Sequence, residues 1–314
     1  VRSTGHMLRK RVTETPKRRA YSYPVTDGTG QETWKTLTWG EVGAQAAEVG
    51  AGLISLGVGP EQRVAIASTT RYEWALADYG IVYAAAATVT VFPTTLANDV
   101  RFILDASDST VVFVEDREQL AKISGLRGDL PKVNTVVVLD NDVPADADGD
   151  WVISMDELRR RGSARLDSHP GEIDGRIDDT DLDDLATKLY TSGTTGRPKR
   201  LILPHRVLGF EILAMDDTMR RTSPDDMLTI DDKQFLWLPL SHVMGKLLLM
   251  MPVHLGFETA IDGRVDRIVS NLPVVRPTFM GSAPRIFEKA YNGIVTMIAD
   301  DPGPLRVKER LFQW

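Results

Sequence analysis

Cysteine is missing from all 314 residues. Disulfides, zinc–thiolate sites and a cysteine nucleophile are therefore excluded, and the composition fits a cytoplasmic protein. Long apolar runs are missing too. The two most apolar stretches, Gly80–Phe92 and Leu247–Leu255, fall short of the ~20 residues needed to cross a bilayer. Positive charge is in deficit, with 37 Lys and Arg against 44 Asp and Glu and a net charge of −7. That balance argues against nucleic acid as a partner. No internal repeat is visible. The remaining composition, 42% hydrophobic and 26% charged, excludes disorder across the whole chain. The length suggests about two domains.

The amino-terminal twenty residues are locally basic, with Arg2, Arg9, Lys10, Arg11, Lys17, Arg18 and Arg19 against Glu14. No apolar stretch follows them, so they do not read as a secretory signal. They are expected to form a solvated arm, able at most to make peripheral contact with anionic lipid. Asp140–Asp150 is acid-rich, but its spacing and lack of Glu do not fit a calcium loop, and a solvated loop is expected.

The first well-marked element is a helix. Thr38 can cap it, with Glu41 three residues on to complete a capping box. Val42, Ala46, Val49, Leu53 and Leu56 recur at helical spacing, and Gly57 supplies a left-handed stop. After Pro60, short strands alternate with helices. Strands are predicted at Arg63–Ala67, Thr88–Val91, Thr110–Val114 and Thr135–Leu139, with helices at Arg71–Ala86, Leu96–Asp105 and Arg117–Ile123. That alternation implies an α/β fold with a parallel or mixed sheet covered by helices. Farther on, Val265, Ile268, Val269 and Leu272 are spaced as a buried helix face.

The chemistry is concentrated in Leu189–Arg200. Leu185, Thr187 and Leu189 alternate as in a strand, and Leu201–Leu203 form a second. Between them run Thr191, Ser192, Gly193, Thr194, Thr195 and Gly196, then Arg197, Pro198 and Lys199. The two glycines permit positive φ and leave the backbone bare. Successive N–H groups can then converge on an anion. The four hydroxyls add donors, and Lys199 adds a point charge suited to phosphate. A Walker P-loop is excluded by spacing, because Lys199 stands three residues after Gly196, follows Pro198 and precedes no Ser or Thr. A plain hairpin turn needs neither four hydroxyls nor a lysine.

The run Tyr190–Lys199 resembles the phosphate-binding loop of the adenylate-forming superfamily, which contains acyl-CoA synthetases, luciferases and peptide-synthetase adenylation domains. The family pattern Tyr-Thr-Ser-Gly-Thr-Thr-Gly-x-Pro-Lys-Gly is met up to its last position, where Arg200 stands. Phe235–Val243 resembles the family's next motif, beside the acyl substrate, and the resemblance places His242 near the carboxylate. A lone histidine can also be structural. Val275–Lys289 is similar to the long-chain acyl-CoA synthetase pattern, in which Pro284 opens a helix. Arg285 and Glu288 equally read there as a local i, i+3 ion pair. Thr38–Glu41, Gly59–Ile66 and Tyr72–Trp74 are similar to the family as well. Some relatives place an aromatic gate just after the His242 segment, where this chain has Gly245 and Lys246.

The resemblance implies an α/β fold, the incomplete large N-terminal domain of an acyl-CoA synthetase/luciferase-like protein, with mixed sheets covered by helices. It implies an α/β subdomain at 61–221 and a second formed from 1–60 and 222–314, with the C-terminal lid domain absent. It further implies ATP-dependent activation of a long-chain fatty acid to acyl-AMP and then acyl-CoA, with ATP, Mg²⁺ and CoA. Thr191, Ser192, Gly193, Thr194, Thr195, Gly196 and Lys199 would cradle the phosphates, Thr194 would meet Mg²⁺, and His242 and Lys199 would act in catalysis. Leu247–Met251 would line an acyl channel or simply pack in the core. The family's Gly-x-Thr-Glu element, ribose-binding Asp and catalytic Lys are not found in order. The 314-residue chain alone is therefore expected to be inactive, and to be oligomeric or held by further chain. Adenylation of an aryl or amino acid on the same fold, or a non-catalytic nucleotide-binding module, are the competing readings.

Overall fold

A computed structural model describes residues 3–191, 198–222 and 227–282, with 288, 291, 292 and 295. The chain divides into a unit of Val1–Phe279 and a unit of Met280–Trp314. In the second, Glu288, Tyr291, Asn292 and Val295 are helical.

Local signals start each element. Ser3 caps helix α1 (Thr4–Glu14) by accepting the His6 N–H. Strands β1 (Arg19–Thr26) and β2 (Glu32–Thr38) form an antiparallel hairpin. The Asp27 carboxylate gathers the Thr29 and Gln31 N–H groups at its tip. Helix α2 (Trp39–Ser55) begins with the expected capping box, in which Thr38 and Glu41 each satisfy the other's N–H. Gly57 follows it at φ +87°.

Strands and helices then alternate through β3 (Arg63–Ala67), α3 (Tyr72–Tyr83), β4 (Ala87–Val91), α4 (Ala97–Ser107), β5 (Ser109–Val114), α5 (Arg117–Ser124) and β6 (Thr135–Val138). These match the predicted elements to within a few residues. Next come β7 (Val152–Ser154), α6 (Met155–Ser168) and α7 (Glu172–Asp179). A hairpin of β8 (Leu185–Thr191) and β9 (Lys199–Pro204) follows, and then α8 (His205–Thr222). The unit ends with β10 (Lys233–Leu236), α9 (Val243–Leu255), β11 (Glu258–Ile261) and α10 (Ile268–Val275).

Two sheets result. The larger has the order β7-β6-β5-β3-β4-β8-β9, parallel throughout except for the antiparallel β8–β9 pair. The smaller has the order β10-β11-β1-β2, in which β1 pairs in parallel with β11. Every residue of β4 is buried, as in a strand covered on both faces. On one face, Ala65, Val89, Val112 and Val136 share a core with Val100, Ile103 and Leu104 of α4 and Leu120 and Ile123 of α5. Helix α3 is buried around nearly its whole circumference, so it carries no amphipathic stripe.

Two expectations are corrected. The basic amino terminus is not a solvated arm. Met7 and Leu8 of α1 are buried. Arg9 pairs with Asp174 and Asp178 of α7, and Arg11 donates to the Val253 and His254 carbonyls at the end of α9. Those last carbonyls have no intrahelical donor and attract a cation. The second correction concerns Val265, Ile268, Val269 and Leu272. Val265 and Val269 are exposed, at 52% and 81%. The buried face of α10 is instead Ile268, Asn271 and Val275. Asn271 donates to the Asp262 carboxylate at 2.8 Å, and this polar anchor fixes the rotation of the helix.

Candidate active site

In a parallel sheet, ligands bind beyond the carboxyl ends of the strands. At that edge β8 ends on Thr191, which pairs with Lys199, the first residue of β9. The phosphate-loop sequence is thus strung between two paired strands of the larger sheet. Ser192, Gly193, Thr194, Thr195, Gly196 and Arg197 lie outside the described residues, as does the Thr191 side chain. Lys199 is exposed, so its ammonium is available to an incoming anion.

The segment before His242 is fastened to the same edge by threonine hydroxyls. After β3, the Thr70 hydroxyl donates to the Leu238 carbonyl at 2.8 Å and accepts the Leu240 N–H at 3.1 Å. In β4, the Thr90 hydroxyl donates to the Ser241 carbonyl at 3.1 Å. The Ser241 hydroxyl donates back to the Val91 carbonyl at 3.4 Å. Because β4 pairs with β8, the structure brings His242, Thr191 and Lys199 to neighbouring strand ends. His242 is exposed and is the N-cap of α9, its Nδ1 accepting the Met244 N–H at 3.3 Å. The structural and the functional reading of this histidine are therefore compatible.

Beside the loop's exit lies a cleft of about 400 Å³ lined by Thr90, Thr94, Thr95, Asp99, Tyr190 and Pro198, among others. Lys122 holds its rim by donating to the Pro93 and Thr95 carbonyls at 2.8 and 3.1 Å. Burial pushes the Tyr190 phenol up, so it stays a neutral donor. Phe92, Leu96 and Ile103 complete the lining, so the cleft is partly polar and partly apolar. Among the described residues, no group of three or more His, Asp or Glu side chains is placed to hold a metal ion. Thr194, which the resemblance assigns to Mg²⁺, lies outside them, so no step below runs through a metal.

Gly245 and Lys246, where some relatives place an aromatic gate, each have a structural reason. A Cβ on Gly245 would lie 2.1 Å from the Pro239 carbonyl oxygen, so a side chain does not fit. Lys246 is 1% exposed and binds Asp78, which is also fully buried. Leu247–Met251 are all buried, and the Tyr21 and Tyr79 hydroxyls donate to the Leu249 carbonyl at 3.5 and 3.3 Å. His205 starts α8, as expected of a helix-start position, but it is buried rather than on the surface. The threonine ties and the Lys246–Asp78 pair were not foreseen. A charge deep inside each of two apolar helices, Asp78 in α3 and Lys246 in α9, was the pair's signal in the sequence.

The chain matches the family described as AMP-binding enzyme over residues 8–307. It is 33% identical over 259 residues to the long-chain-fatty-acid–CoA ligase FadD15 of Mycobacterium bovis, covering 82% of this chain and 40% of that one. It is 28% identical over 304 residues to the peroxisomal long chain acyl-CoA synthetase 6 of Arabidopsis thaliana, covering 94% and 40%. The chain thus spans about 40% of the length of these curated relatives. Among solved structures it resembles the anthranilate CoA ligase AuaEII in complex with anthranoyl-AMP, with a TM-score of 0.74, 21% identity and coverage of 90% of this chain and 50% of that one. It also resembles the N-terminal domain of FACL13 from Mycobacterium tuberculosis, with a TM-score of 0.67, 22% identity and coverage of 92% and 64%. Both structural likenesses are of fold. With its phosphate-loop sequence hung on the carboxyl edge of a largely parallel sheet and the family matched along nearly its whole length, the chain belongs to the AMP-binding enzyme family.

Proposed function

We propose that this chain carries the nucleotide- and acyl-binding machinery of an ATP-dependent long-chain fatty acid–CoA ligase. The observation that carries the reading is the loop Thr191–Lys199 at a strand edge to which the His242 segment is also tied. The subdomain boundaries given above, 61–221 against 1–60 with 222–314, are part of the proposal. They are supported by one sheet drawing its strands from 63–204 and the other from 19–38 and 233–261.

A fatty-acid carboxylate oxygen attacks the α-phosphorus of ATP. A bond forms between them, the bond to the bridging oxygen breaks, and pyrophosphate leaves with that electron pair. The CoA thiol then attacks the acyl carbonyl and AMP departs. Negative charge develops on the leaving phosphates. Loop N–H groups, the hydroxyls of Thr191, Ser192, Thr194 and Thr195, and the Lys199 ammonium would stabilise it. His242 would border the carboxylate and help hold a poor nucleophile in line.

Exchange of labelled pyrophosphate into ATP by the product of this reading frame tests the first half-reaction. Long-chain fatty acid should support exchange. Exchange driven instead by an aryl or amino acid would reassign the substrate, and none with any carboxylate would remove the ligase reading. We extend the proposal to self-association. Leu182, Phe210 and Leu213 are exposed around a cleft of about 530 Å³, near the exposed Leu201 and Ile202 of edge strand β9. Sedimentation of the 314-residue chain should show more than monomer, and a stable monodisperse monomer would overturn this part.

A further inference from the structure

We infer that Lys246 and Asp78 are positioning residues for His242, acting through the first turn of α9. The Lys246 N–H donates to the His242 carbonyl at 3.0 Å, so the two residues are one helical turn apart. The Lys246 side chain is buried, its ammonium bound to Asp78 Oδ1 and 5.5 Å from the Trp74 ring centroid. The same carboxylate oxygen accepts the Thr88 hydroxyl at 2.6 Å. Thr88 belongs to β4 and is paired with Thr187 of β8. One buried oxygen therefore joins α9 to α3 and to the strand beside the one leading into the phosphate loop.

Burying both charges is costly, and apolar residues of similar volume often hold a core as well or better. What the ion pair adds is direction. It permits one rotation of α9, whereas apolar packing tolerates several. Other ties act farther along the helix, where Tyr21 and Tyr79 reach the Leu249 carbonyl and Arg11 reaches Val253 and His254. Within the helix, among the described residues, Lys246 is the buried side-chain tie in the first turn, while Thr90 and Ser241 fasten the residue before the N-cap. That end is already pressed against the Pro239 carbonyl at Gly245. A turn of the helix is transmitted there to the backbone carrying His242, because no slack separates them. The pair thus sets where the His242 ring lies relative to the ends of β4 and β8.

The role given to His242 above underlies the kinetic consequence, whereas its ring placement is measurable without turnover. The 314-residue chain, with nitrogen-labelled histidine, is compared with Lys246→Met/Asp78→Leu, which removes both charges together, and with Lys246→Arg. His242→Asn assigns the ring signals. At a fixed pH the double variant should shift the His242 ring nitrogens. It should also speed solvent exchange of the Met244 amide roughly fivefold, the weight of one hydrogen bond. Lys246→Arg should leave both near their original values. Unmoved His242 signals in a folded double variant overturn the inference. If the double variant does not fold, Thr88→Val is expected to displace the same signals less strongly, and no displacement there also overturns it. In pyrophosphate exchange by the full gene product carrying the same substitutions, the double variant should lose kcat with the KM for ATP unchanged. A shifted ring in the 314-residue chain together with no exchange by the unaltered full gene product would remove the ligase reading and leave the positioning role standing.

Discussion

His205 is 2% exposed, and its Nδ1 accepts hydrogen bonds from the Thr4 N–H at 3.3 Å and from the Thr4 hydroxyl at 2.8 Å. A nitrogen that accepts a backbone N–H carries no proton, so the buried ring is neutral. Burial pushes its pKa down to about 4, from about 6.5 in an unfolded chain. As pH falls from 6.5 to 4, the unfolded state takes up a proton that the folded state refuses. The stability associated with His205 is thus whole above pH 6.5 and lost as pH falls through 4. The loss amounts to roughly 3 kcal/mol. Urea midpoints across that window should fall more steeply in the unaltered chain than in His205→Asn, and equal slopes would refute the assignment. Nothing local in the sequence marks His205 for burial. Its burial depends on Thr4 of α1, 201 residues away, which no local pattern reports. His242, by contrast, is marked by the motif that surrounds it, on which its proposed role rests.

Among elements, α2 and the strands β3 to β6 were legible because their signals are local: a capping box, a glycine stop, short β-branched runs. Helices α6 and α7 were not foreseen, although Ser154 accepts the Glu157 N–H and caps α6 in the usual way. Half of the sequence Met155–Ser168 is charged, and its buried face is only Met155, Leu158 and Gly162. Packing there depends on closeness rather than on apolar bulk. A Cβ on Gly162 would lie 1.7 Å from the Glu48 carbonyl oxygen, and one on Gly52 would lie 2.4 Å from that of Leu158. Gly162→Ala must therefore separate α2 from α6. A cost of about 1–3 kcal/mol is expected in urea unfolding, with Gly175→Ala, whose Cβ meets nothing within 4 Å, as the neutral comparison. Equal stability of the two variants would contradict the close approach. Helix α1 was misread for the opposite reason. Its arginines looked solvated, yet they satisfy the carboxylates of α7 and the terminal carbonyls of α9.

At the scale of the whole molecule, the smaller sheet pairs β1 with β11, Tyr21 opposite Thr259. The larger sheet is threaded between those two strands in the sequence. Alternating strands and helices announced an α/β protein, but this interleaving comes from long-range pairing and entered the sequence reading only through the family resemblance. The arrangement lays the segment preceding His242 across the ends of β3 and β4, beside the strand on which the proposed phosphate loop begins. The central claim is that this loop stabilises the phosphates of ATP as pyrophosphate departs. Its most direct test is fatty-acid-dependent pyrophosphate exchange by the product of this reading frame, with and without Lys199→Ala. Loss of one preorganised charge facing the leaving group should lower kcat/KM roughly a hundredfold, while urea unfolding is unchanged because Lys199 is exposed. A Lys199→Ala protein that exchanges pyrophosphate as fast as the unaltered one would contradict the account.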